Sequence, residues 1–192
     1  MLVTGHTGFK GSWLTSWLIE LGAKVIGYSL DPRTKDDIFN RTNLSQKIID
    51  IRNDIRNYGE LSNTIKKYKP DLVFHLAAQP IVRKSYDNPI ETFNTNFNGT
   101  LNVLEALREN KCVKAAIFIT TDKVYRNNED FWGYREKDPL GGFDPYSSSK
   151  ACAEILIESY RNSFFNPKLI SKNPVNTRSE EHTSELQSPN TI

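Results

Sequence analysis

The segment Leu2-Val3-Thr4-Gly5-His6-Thr7-Gly8-Phe9-Lys10-Gly11 decides the fold of this chain. A short apolar or β-branched run is followed by glycines at the spacing G-x-x-G-x-x-G, and an apolar-periodic segment then leads to Gly22. Glycine permits the positive φ of a tight turn and lets backbone amides approach a bound group. A plain β–α turn often uses one or two glycines. Three at this spacing favour a turn that binds a dinucleotide pyrophosphate at a helix N-terminus.

Short apolar strands and amphipathic helices alternate along the rest of the chain. Strands are predicted over residues 2–4, 24–28, 48–51, 72–76 and 115–120, and helices over 12–21, 59–67, 89–109 and 146–163. This alternation predicts an α/β fold with a doubly wound parallel sheet of the Rossmann type. Residues 1–166 are interpreted as one dinucleotide-binding domain, and residues 122–144 as a functional or mobile loop.

Composition excludes several classes of function. The chain has 192 residues and a formal net charge of +2, which is too small to indicate nucleic acid or an anionic membrane as a partner. Cys112 and Cys152 have no His or Cys at ligand spacing, so they indicate neither a metal site nor a disulfide. No signal segment or long apolar run is visible, and we expect a cytoplasmic protein without a membrane span.

Tyr146 and Lys150 lie four residues apart, which places a phenol and an ammonium one turn apart on the same helix face. A phenol titrates near pH 10, and a nearby cation is expected to bring its pKa toward the working range of a general base. Such pairs also occur by chance. Together with the glycine turn, however, the pair resembles the extended short-chain dehydrogenase/reductase superfamily.

The resemblance implies that the cofactor is NAD. Its implied binding residues are Gly5, Thr7, Gly8, Phe9, Gly11, Asp31, Asp54, Ile55, Ala77, Ala78, Gln79, Asn96, Tyr146 and Lys150. Asp31 would accept a hydrogen bond from the adenosine ribose and repel a 2′-phosphate, although Asp-Pro is also a turn signal and Ser29 competes for the position. Asp54 would lie beside the adenine, or it is a solvated loop residue. His75 is interpreted as a satisfied strand-end histidine, and Asn96 as a brace for the active site.

Thr121-Asp122-Lys123 distinguishes between activities within the superfamily. An acidic residue directly after this Thr resembles the sugar-nucleotide 4,6-dehydratases, and the Asp-Lys pair resembles their CDP-glucose type. The resemblance implies that CDP-glucose becomes CDP-4-keto-6-deoxyglucose in deoxysugar biosynthesis, with Thr121, Asp122, Lys123, Tyr146 and Lys150 as catalytic residues and a homo-oligomeric full-length protein. The alternatives are a sugar-nucleotide epimerase or ketoreductase, and a non-catalytic NAD-binding regulator.

The end of the chain departs from this pattern. Apolar periodicity fades beyond Asn166, so residues 167–192 are predicted to be irregular. Residues 178–188 resemble a translated sequencing adaptor and are expected to be non-native, the alternative being an ordinary polar terminus; no function is assigned to His182. The C-terminal substrate domain of the family is expected to be missing. A chain of this extent is expected to be marginally folded and inactive.

Overall fold

The fold was analysed in a computed structural model that describes residues 1–129, 131–165 and 175–180. Its strands are β1 (Leu2–Thr4), β2 (Ile26–Ser29), β3 (Ile49–Arg52), β4 (Leu72–His75), β5 (Ala115–Ile119) and β6 (Asn176–Glu180). Its α-helices are α1 (Phe9–Glu20), α2 (Ile38–Arg41), α3 (Tyr58–Tyr68), α4 (Val82–Asp87), α5 (Pro89–Phe93), α6 (Gly99–Glu109) and α7 (Pro145–Ser163). Short 3₁₀ turns span Leu44–Gln46 and Asp122–Val124.

The strands form a parallel sheet in the order β3-β2-β1-β4-β5-β6. The strand order reverses direction between β1 and β4, and ligands of open α/β sheets bind in the crevice at such a switch point. The prediction of a doubly wound parallel sheet is therefore confirmed.

Side chains alternate across the sheet and are covered on both faces. Leu2 and Val73 pack in the larger core with residues of α3, α6 and α7, whereas the neighbouring Val3 and Phe74 pack on the other face with Leu18 of α1. Strands with both faces buried are typical of parallel sheets. This two-sided packing holds the carboxyl ends of β1, β4 and β5 rigidly beside one another.

The long helix predicted over 89–109 is present but not uniform. A π-helical segment, Asn94–Asn98, joins α5 to α6 and carries the buried Asn96. Such π-bulges insert a residue into the helical ladder and are frequent at functional sites.

Helix α1 is closed by Gly22, which has a φ of 80°. The Ala23 N–H donates to Leu18 O, as expected for a glycine that ends a helix.

The prediction of an irregular segment over 167–192 is wrong for residues 176–180. Strand β6 pairs in parallel with β5, from Ala115 with Asn176 to Ile119 with Glu180, so the sheet extends past residue 166, the predicted end of the domain. The pairing uses backbone groups and needs no apolar alternation, and Val175 anchors the strand in the larger core. Residues 181–188 of the predicted adaptor-like stretch, with His182, lie outside the described residues, and its origin stays a prediction.

Sequence patterning did not predict α2, α4 or β6, which are short or polar. No helix in the described part of the chain is both long and apolar enough to cross a membrane. Among the same residues, no group of His, Cys, Asp and Glu side chains is arranged to hold a metal ion.

Candidate active site

The glycine turn between β1 and α1 is shaped by close backbone contacts. Gly5 has a φ of 73°, and a Cβ there would lie 2.7 Å from the Ala77 amide nitrogen. A Cβ on Gly11 would lie 2.0 Å from Gly5 O, so the helix can approach the turn only because this residue is glycine. Gly8 is exposed and begins α1 without a side-chain cap, which leaves the first-turn amides of Phe9 and Lys10 open to a ligand.

A buried hydrogen-bond chain supports the turn from behind. Thr100 Oγ1 donates to Asn96 O (2.6 Å), so it accepts from His75 Nε2 (3.2 Å), and His75 Nδ1 then accepts from Thr4 Oγ1 (2.8 Å). Thr4 Oγ1 also accepts from the amide of Ala77 (3.2 Å). Burial, together with the charge of Lys150, lowers the pKa of His75 to about 3. His75 is therefore a neutral structural residue, as predicted.

Asn96 joins three elements at the site. Its Oδ1 accepts from the Gln79 amide (2.8 Å), while its Nδ2 donates to Gln79 O (3.1 Å) and to Ser149 Oγ (2.9 Å) in α7. The side chain of Gln79 in turn accepts from Ile81 N (2.8 Å) and donates to Thr92 Oγ1 (3.0 Å). Both side chains, predicted as cofactor contacts, are thus hydrogen-bonded to protein. Their direct role is to hold the backbone after β4, where the half-buried Ala77 and Ala78 lie.

The ends of β2 and β3 form the side of the crevice expected to face the adenosine ribose. Thr7 Oγ1 lies 2.8 Å from Ser29 Oγ and donates to Leu30 O (3.0 Å), so the competing hydroxyl of Ser29 is engaged within the protein. The carboxylate of Asp31 is 86% exposed, with Arg52 Nε at 3.8 Å. The Asp31 carboxylate is therefore accessible to solvent, with Arg52 as an ion-pair partner.

A second polar network, formed by His6, Asp50 and Arg52, was not predicted from the sequence. The buried His6 ring lies over Gly27, where a Cβ would meet His6 Cδ2 at 2.4 Å, and its Nε2 lies 2.9 Å from Asp50 Oδ1. Asp50 also accepts from Arg52 (2.8 Å), whose guanidinium lies over the Phe39 ring at 4.6 Å. Burial lowers the pKa of His6, and the hydrogen bond with Asp50 opposes that shift. The network holds the second residue of the glycine turn against β2.

Asp54 and Ile55, predicted to lie beside the adenine, have protein partners. Arg56 Nε is 3.0 Å from both carboxylate oxygens of Asp54, and this guanidinium lowers the pKa of the Asp54 carboxyl. Ile55 is buried, and Gly99 leaves room for it, because a Cβ on that glycine would lie 2.8 Å from Ile55 Cγ2. The structure does not bring the Asp54 carboxylate into contact with the glycine turn; its direct role here is an ion pair.

The predicted catalytic residues meet where β5 and α7 adjoin. Thr121 is fully buried and donates to Asp122 Oδ1 (3.1 Å). Burial raises the pKa of Tyr146, the neighbouring Thr121 hydroxyl lowers it, and the charge of Asp122 raises it. The expected lowering of this pKa is therefore absent in the arrangement described, because desolvation outweighs the favourable contact. Lys123 is exposed, and its amide donates to Thr121 Oγ1 (3.4 Å).

Lys150 lies one turn beyond Tyr146 on the buried face of α7. Its Nζ donates to Ile119 O (3.0 Å), and burial lowers its pKa to about 8. The charge of Glu154 opposes that shift, and the charge of Lys10 adds to it. The ammonium thus lies at the end of β5, within range of the charge of Lys10 at the start of α1.

The start of α7 is positioned by residues that were not predicted as part of the site. Asp144 caps the helix by accepting from Ser147 N (3.0 Å), and Tyr146 N donates to Ser85 Oγ (3.1 Å) in α4. The Asp-Pro step before an apolar helix is a recognisable N-cap signal, whereas Ser85 carries no sequence signal. Together they determine where the Tyr146 ring enters the crevice.

These observations fit a dinucleotide. The Gly5 and Gly11 positions have no room for a Cβ, yet the exposed Gly8 and the uncapped first turn of α1 offer amides to an anion. The exposed Asp31 follows β2, and the buried Lys150 donates to the end of β5.

Comparison with known proteins identifies the family. A family model described as GDP-mannose 4,6 dehydratase matches residues 2–191. The chain is also 52% identical, over 167 residues, to the CDP-glucose 4,6-dehydratase of Salmonella typhimurium, a match that covers 87% of this chain and 46% of that protein. The chain belongs to the GDP-mannose 4,6 dehydratase family. This family lies within the extended short-chain dehydrogenase/reductases, which confirms the resemblance inferred from the glycine turn and the Tyr146–Lys150 pair.

Other members of this group agree with the fold. The CDP-paratose 2-epimerase of Salmonella typhi is 32% identical, with 85% of this chain and 53% of that protein covered. The crystal structure of Thermus thermophilus UDP-glucose 4-epimerase in complex with NAD matches with a TM-score of 0.75 and 29% identity, over 85% of this chain and 51% of that one. The Bacillus anthracis dTDP-glucose 4,6-dehydratase in complex with NAD matches with a TM-score of 0.71 and 25% identity, over 93% and 53%. The chain spans about half the length of the curated relatives it matches.

Proposed function

We propose that the full-length protein converts CDP-glucose to CDP-4-keto-6-deoxyglucose and is a lyase of the 4,6-dehydratase type in deoxysugar biosynthesis. The observation that carries the proposal is the position of Asp122, an acid in hydrogen-bond contact with Thr121 and in electrostatic contact with Tyr146. A simple ketoreductase or epimerase needs no acid at this position. The 52% identity to a CDP-glucose 4,6-dehydratase supports the choice of nucleotide sugar.

We propose NAD as the cofactor, supported by the NAD complexes of two structural relatives. Bound NAD would accept hydride from C4 of the sugar and later return hydride to C6. Gly5, Gly8 and Gly11 would hold its pyrophosphate, Asp31 the adenosine ribose and Lys150 the nicotinamide ribose. The other implied contacts are Thr7, Phe9, Asp54, Ile55, Ala77, Ala78, Gln79 and Asn96, several of which act through the backbone they support.

Three side chains, those of Tyr146, Lys123 and Asp122, would carry out the proton transfers. Tyr146 would take the proton of the 4-hydroxyl, and Thr121, which neighbours Tyr146, would orient that hydroxyl. A keto group at C4 acidifies the proton on C5, where the exposed Lys123 is the candidate base. Asp122 would give a proton to the departing 6-hydroxyl, which leaves as water, and the proton taken from C5 would return to C5 when C6 receives hydride. The substrate therefore loses one water and gains no net hydrogen.

The experiment is to incubate the full-length gene product with CDP-glucose and to measure the product mass. A dehydratase product is lighter by one water, whereas a 4-epimerase product has the same mass as the substrate. UDP-, dTDP- and GDP-linked hexoses serve as competing substrates. Unchanged mass with inverted C4 would favour the epimerase alternative, and no turnover with intact NAD binding would favour the non-catalytic alternative.

Two further properties remain proposals. We propose a cytoplasmic location, supported by Cys112 and Cys152, which are free thiols. A homo-oligomer is implied by the family resemblance, and light scattering of the full-length protein measures it.

A further inference from the structure

Three residues of one face of α7 lie beside three consecutive residues at the carboxyl end of β5. Lys150 donates to Ile119 O (3.0 Å), Glu154 accepts from the hydroxyl of Thr120, and Tyr146 neighbours Thr121, whose hydroxyl acts on its pKa. The spacing of four residues places all three side chains one above another on the helix. Tyr146 and Lys150 belong to the proposed reaction. Glu154 has no part in it.

Glu154 is unusual for a helix residue because it is buried, with 9% of its surface exposed. A buried carboxylate is costly unless it is hydrogen-bonded and paired with charge. Thr120 donates the hydrogen bond, and Lys150, one turn away, supplies the cation. Apolar replacement of buried charged groups is often neutral for stability, so a role for Glu154 beyond packing is worth testing.

The charged groups around Lys150 leave Glu154 in a distinct position. From α1, the cation of Lys10 acts against the ammonium, and from β4 the buried His75 is neutral. Tyr146 on the same helix is held as a phenol by burial, and the charge of Asp122 acts on that phenol. Among the residues that the structure describes, Glu154 is the acidic group that favours the charged form of Lys150.

We propose that Glu154 is a positioning residue of this active site. Its carboxylate holds Thr120, and with it the strand end that carries Thr121, and it provides the countercharge that keeps Lys150 an ammonium beside Tyr146. The inference rests on the proposed function for its effect on turnover, but its effect on Lys150 belongs to the protein alone.

Three variants of the full-length gene product separate the two parts of this role. Glu154→Gln removes the charge and keeps a group that can bond to Thr120. Thr120→Val removes the hydrogen bond and keeps the charge. Glu158→Gln is the matched control, because Glu158 lies one turn further along α7 and is exposed.

The first readout needs neither substrate nor cofactor. The titration midpoint of Lys150 is followed by NMR from its side-chain ¹³Cε signal in lysine-labelled protein, with Lys150→Arg used for assignment. We expect the midpoint to fall by about one pH unit in Glu154→Gln, the scale for losing an opposite charge at close range. It should stay at the wild-type value in Thr120→Val and Glu158→Gln. An unchanged midpoint in a folded Glu154→Gln protein overturns the countercharge role.

The second readout is the pH profile of turnover. In Glu154→Gln the loss of activity at high pH should begin about one unit lower, following Lys150. Thr120→Val should lower kcat with little change in KM, and normal kcat in that variant overturns the positioning role even if Glu154→Gln fails to fold. If the wild-type protein does not convert CDP-glucose, the proposed function fails while the NMR result still decides the inference.

Discussion

Lys150 Nζ donates a hydrogen bond of 3.0 Å to the carbonyl oxygen of Ile119, the last residue of β5. This bond joins the middle of α7 to the strand end from which Thr120 and Thr121 continue. An ammonium has three donors, so one is used by the protein and the others can serve a ligand. The same side chain thus belongs both to the fold and to the candidate site.

Burial favours the neutral forms of both Tyr146 and Lys150, although it moves their pKa values in opposite directions. It raises the pKa of Tyr146 and lowers that of Lys150 to about 8, so both are moved toward their neutral forms. The contacts that oppose this effect come from Thr121 and Glu154.

Tyr146→Phe should abolish most of the turnover of the full-length protein. The ring still fills its site, but the phenol oxygen that takes the substrate proton is lost, and loss of a general base typically costs a factor of about 10² to 10⁴. Single-turnover kinetics with saturating substrate measure this. Tyr58→Phe is the control, because the Tyr58 hydroxyl bonds to Glu109 (2.5 Å) at the protein surface. Equal rates for both variants would remove Tyr146 from the mechanism.

Asp122→Asn should separate oxidation from elimination. The amide can still accept a hydrogen bond from Thr121 but cannot give a proton to the departing 6-hydroxyl. The first hydride transfer should proceed, and the 4-keto sugar should accumulate with reduced cofactor bound, visible as cofactor absorbance and as a product that retains the 6-hydroxyl. The dehydratase mechanism is wrong if this variant forms the 6-deoxy product at the wild-type rate.

The parts of the fold that could be predicted from sequence are those with a strong local pattern. Strands β1 to β5 and helices α1, α3 and α7 lie within a few residues of their predicted positions, because apolar periodicity and glycine or proline boundaries are local properties. Helix α4 has six residues and a buried serine as its key contact, and β6 is polar. Neither has a periodic signal, so only the tertiary structure reveals them.

The candidate site shows the same division. The glycine turn and the Tyr146–Lys150 pair depend on spacing along the chain, and both were predicted. The hydrogen bond between Thr4 and His75 joins residues that are 71 positions apart in the sequence. The hydrogen bond between Thr120 and Glu154 joins residues that are 34 positions apart. Such contacts depend on which strands become neighbours. The sequence does show an acidic residue eight positions after Tyr146, which is two helical turns along the same face, and this spacing points to Glu154.

Asp31→Ala should weaken the preference for NAD over NADP. The exposed carboxylate of Asp31 would accept from the ribose and repel a 2′-phosphate, and Arg52 Nε lies 3.8 Å away, ready to attract that phosphate once the carboxylate is gone. Calorimetric titration with both cofactors should show the preference narrowed by roughly 1–3 kcal/mol. The exposed Asp36 provides the control, Asp36→Ala. Tighter NADP binding by the wild-type protein would reject the assignment of Asp31.

His75 should make the folded state sensitive to acid. Its folded pKa is lowered to about 3, below the ordinary 6.5, so between these values the unfolded chain binds a proton that the folded chain does not. Stability from this group is complete above pH 6.5 and is lost as pH falls toward 3, with a slope of up to about 1.4 kcal/mol per pH unit. Urea unfolding of wild type and His75→Gln at pH 7 and pH 5 tests this. The stability gap between the two proteins should shrink at pH 5; a constant gap contradicts the prediction.

Gly11→Ala should disrupt the turn that is proposed to hold the pyrophosphate. The added Cβ would lie 2.0 Å from Gly5 O and 2.8 Å from His6 Cα, both backbone contacts that cannot move aside without shifting α1 away from β1. Overpacking of this kind typically costs about 1–3 kcal/mol of stability, and the displaced first-turn amides should also weaken cofactor binding. Gly59→Ala is the matched control, because the nearest atom to its added Cβ is Asn57 Oδ1 at 3.8 Å and the change lies within a helix. The control should gain roughly 0.5–1 kcal/mol from helix propensity. Urea unfolding and NAD titration of both variants measure the two effects, and wild-type NAD affinity in Gly11→Ala would show that the close helix approach is not what forms the binding turn.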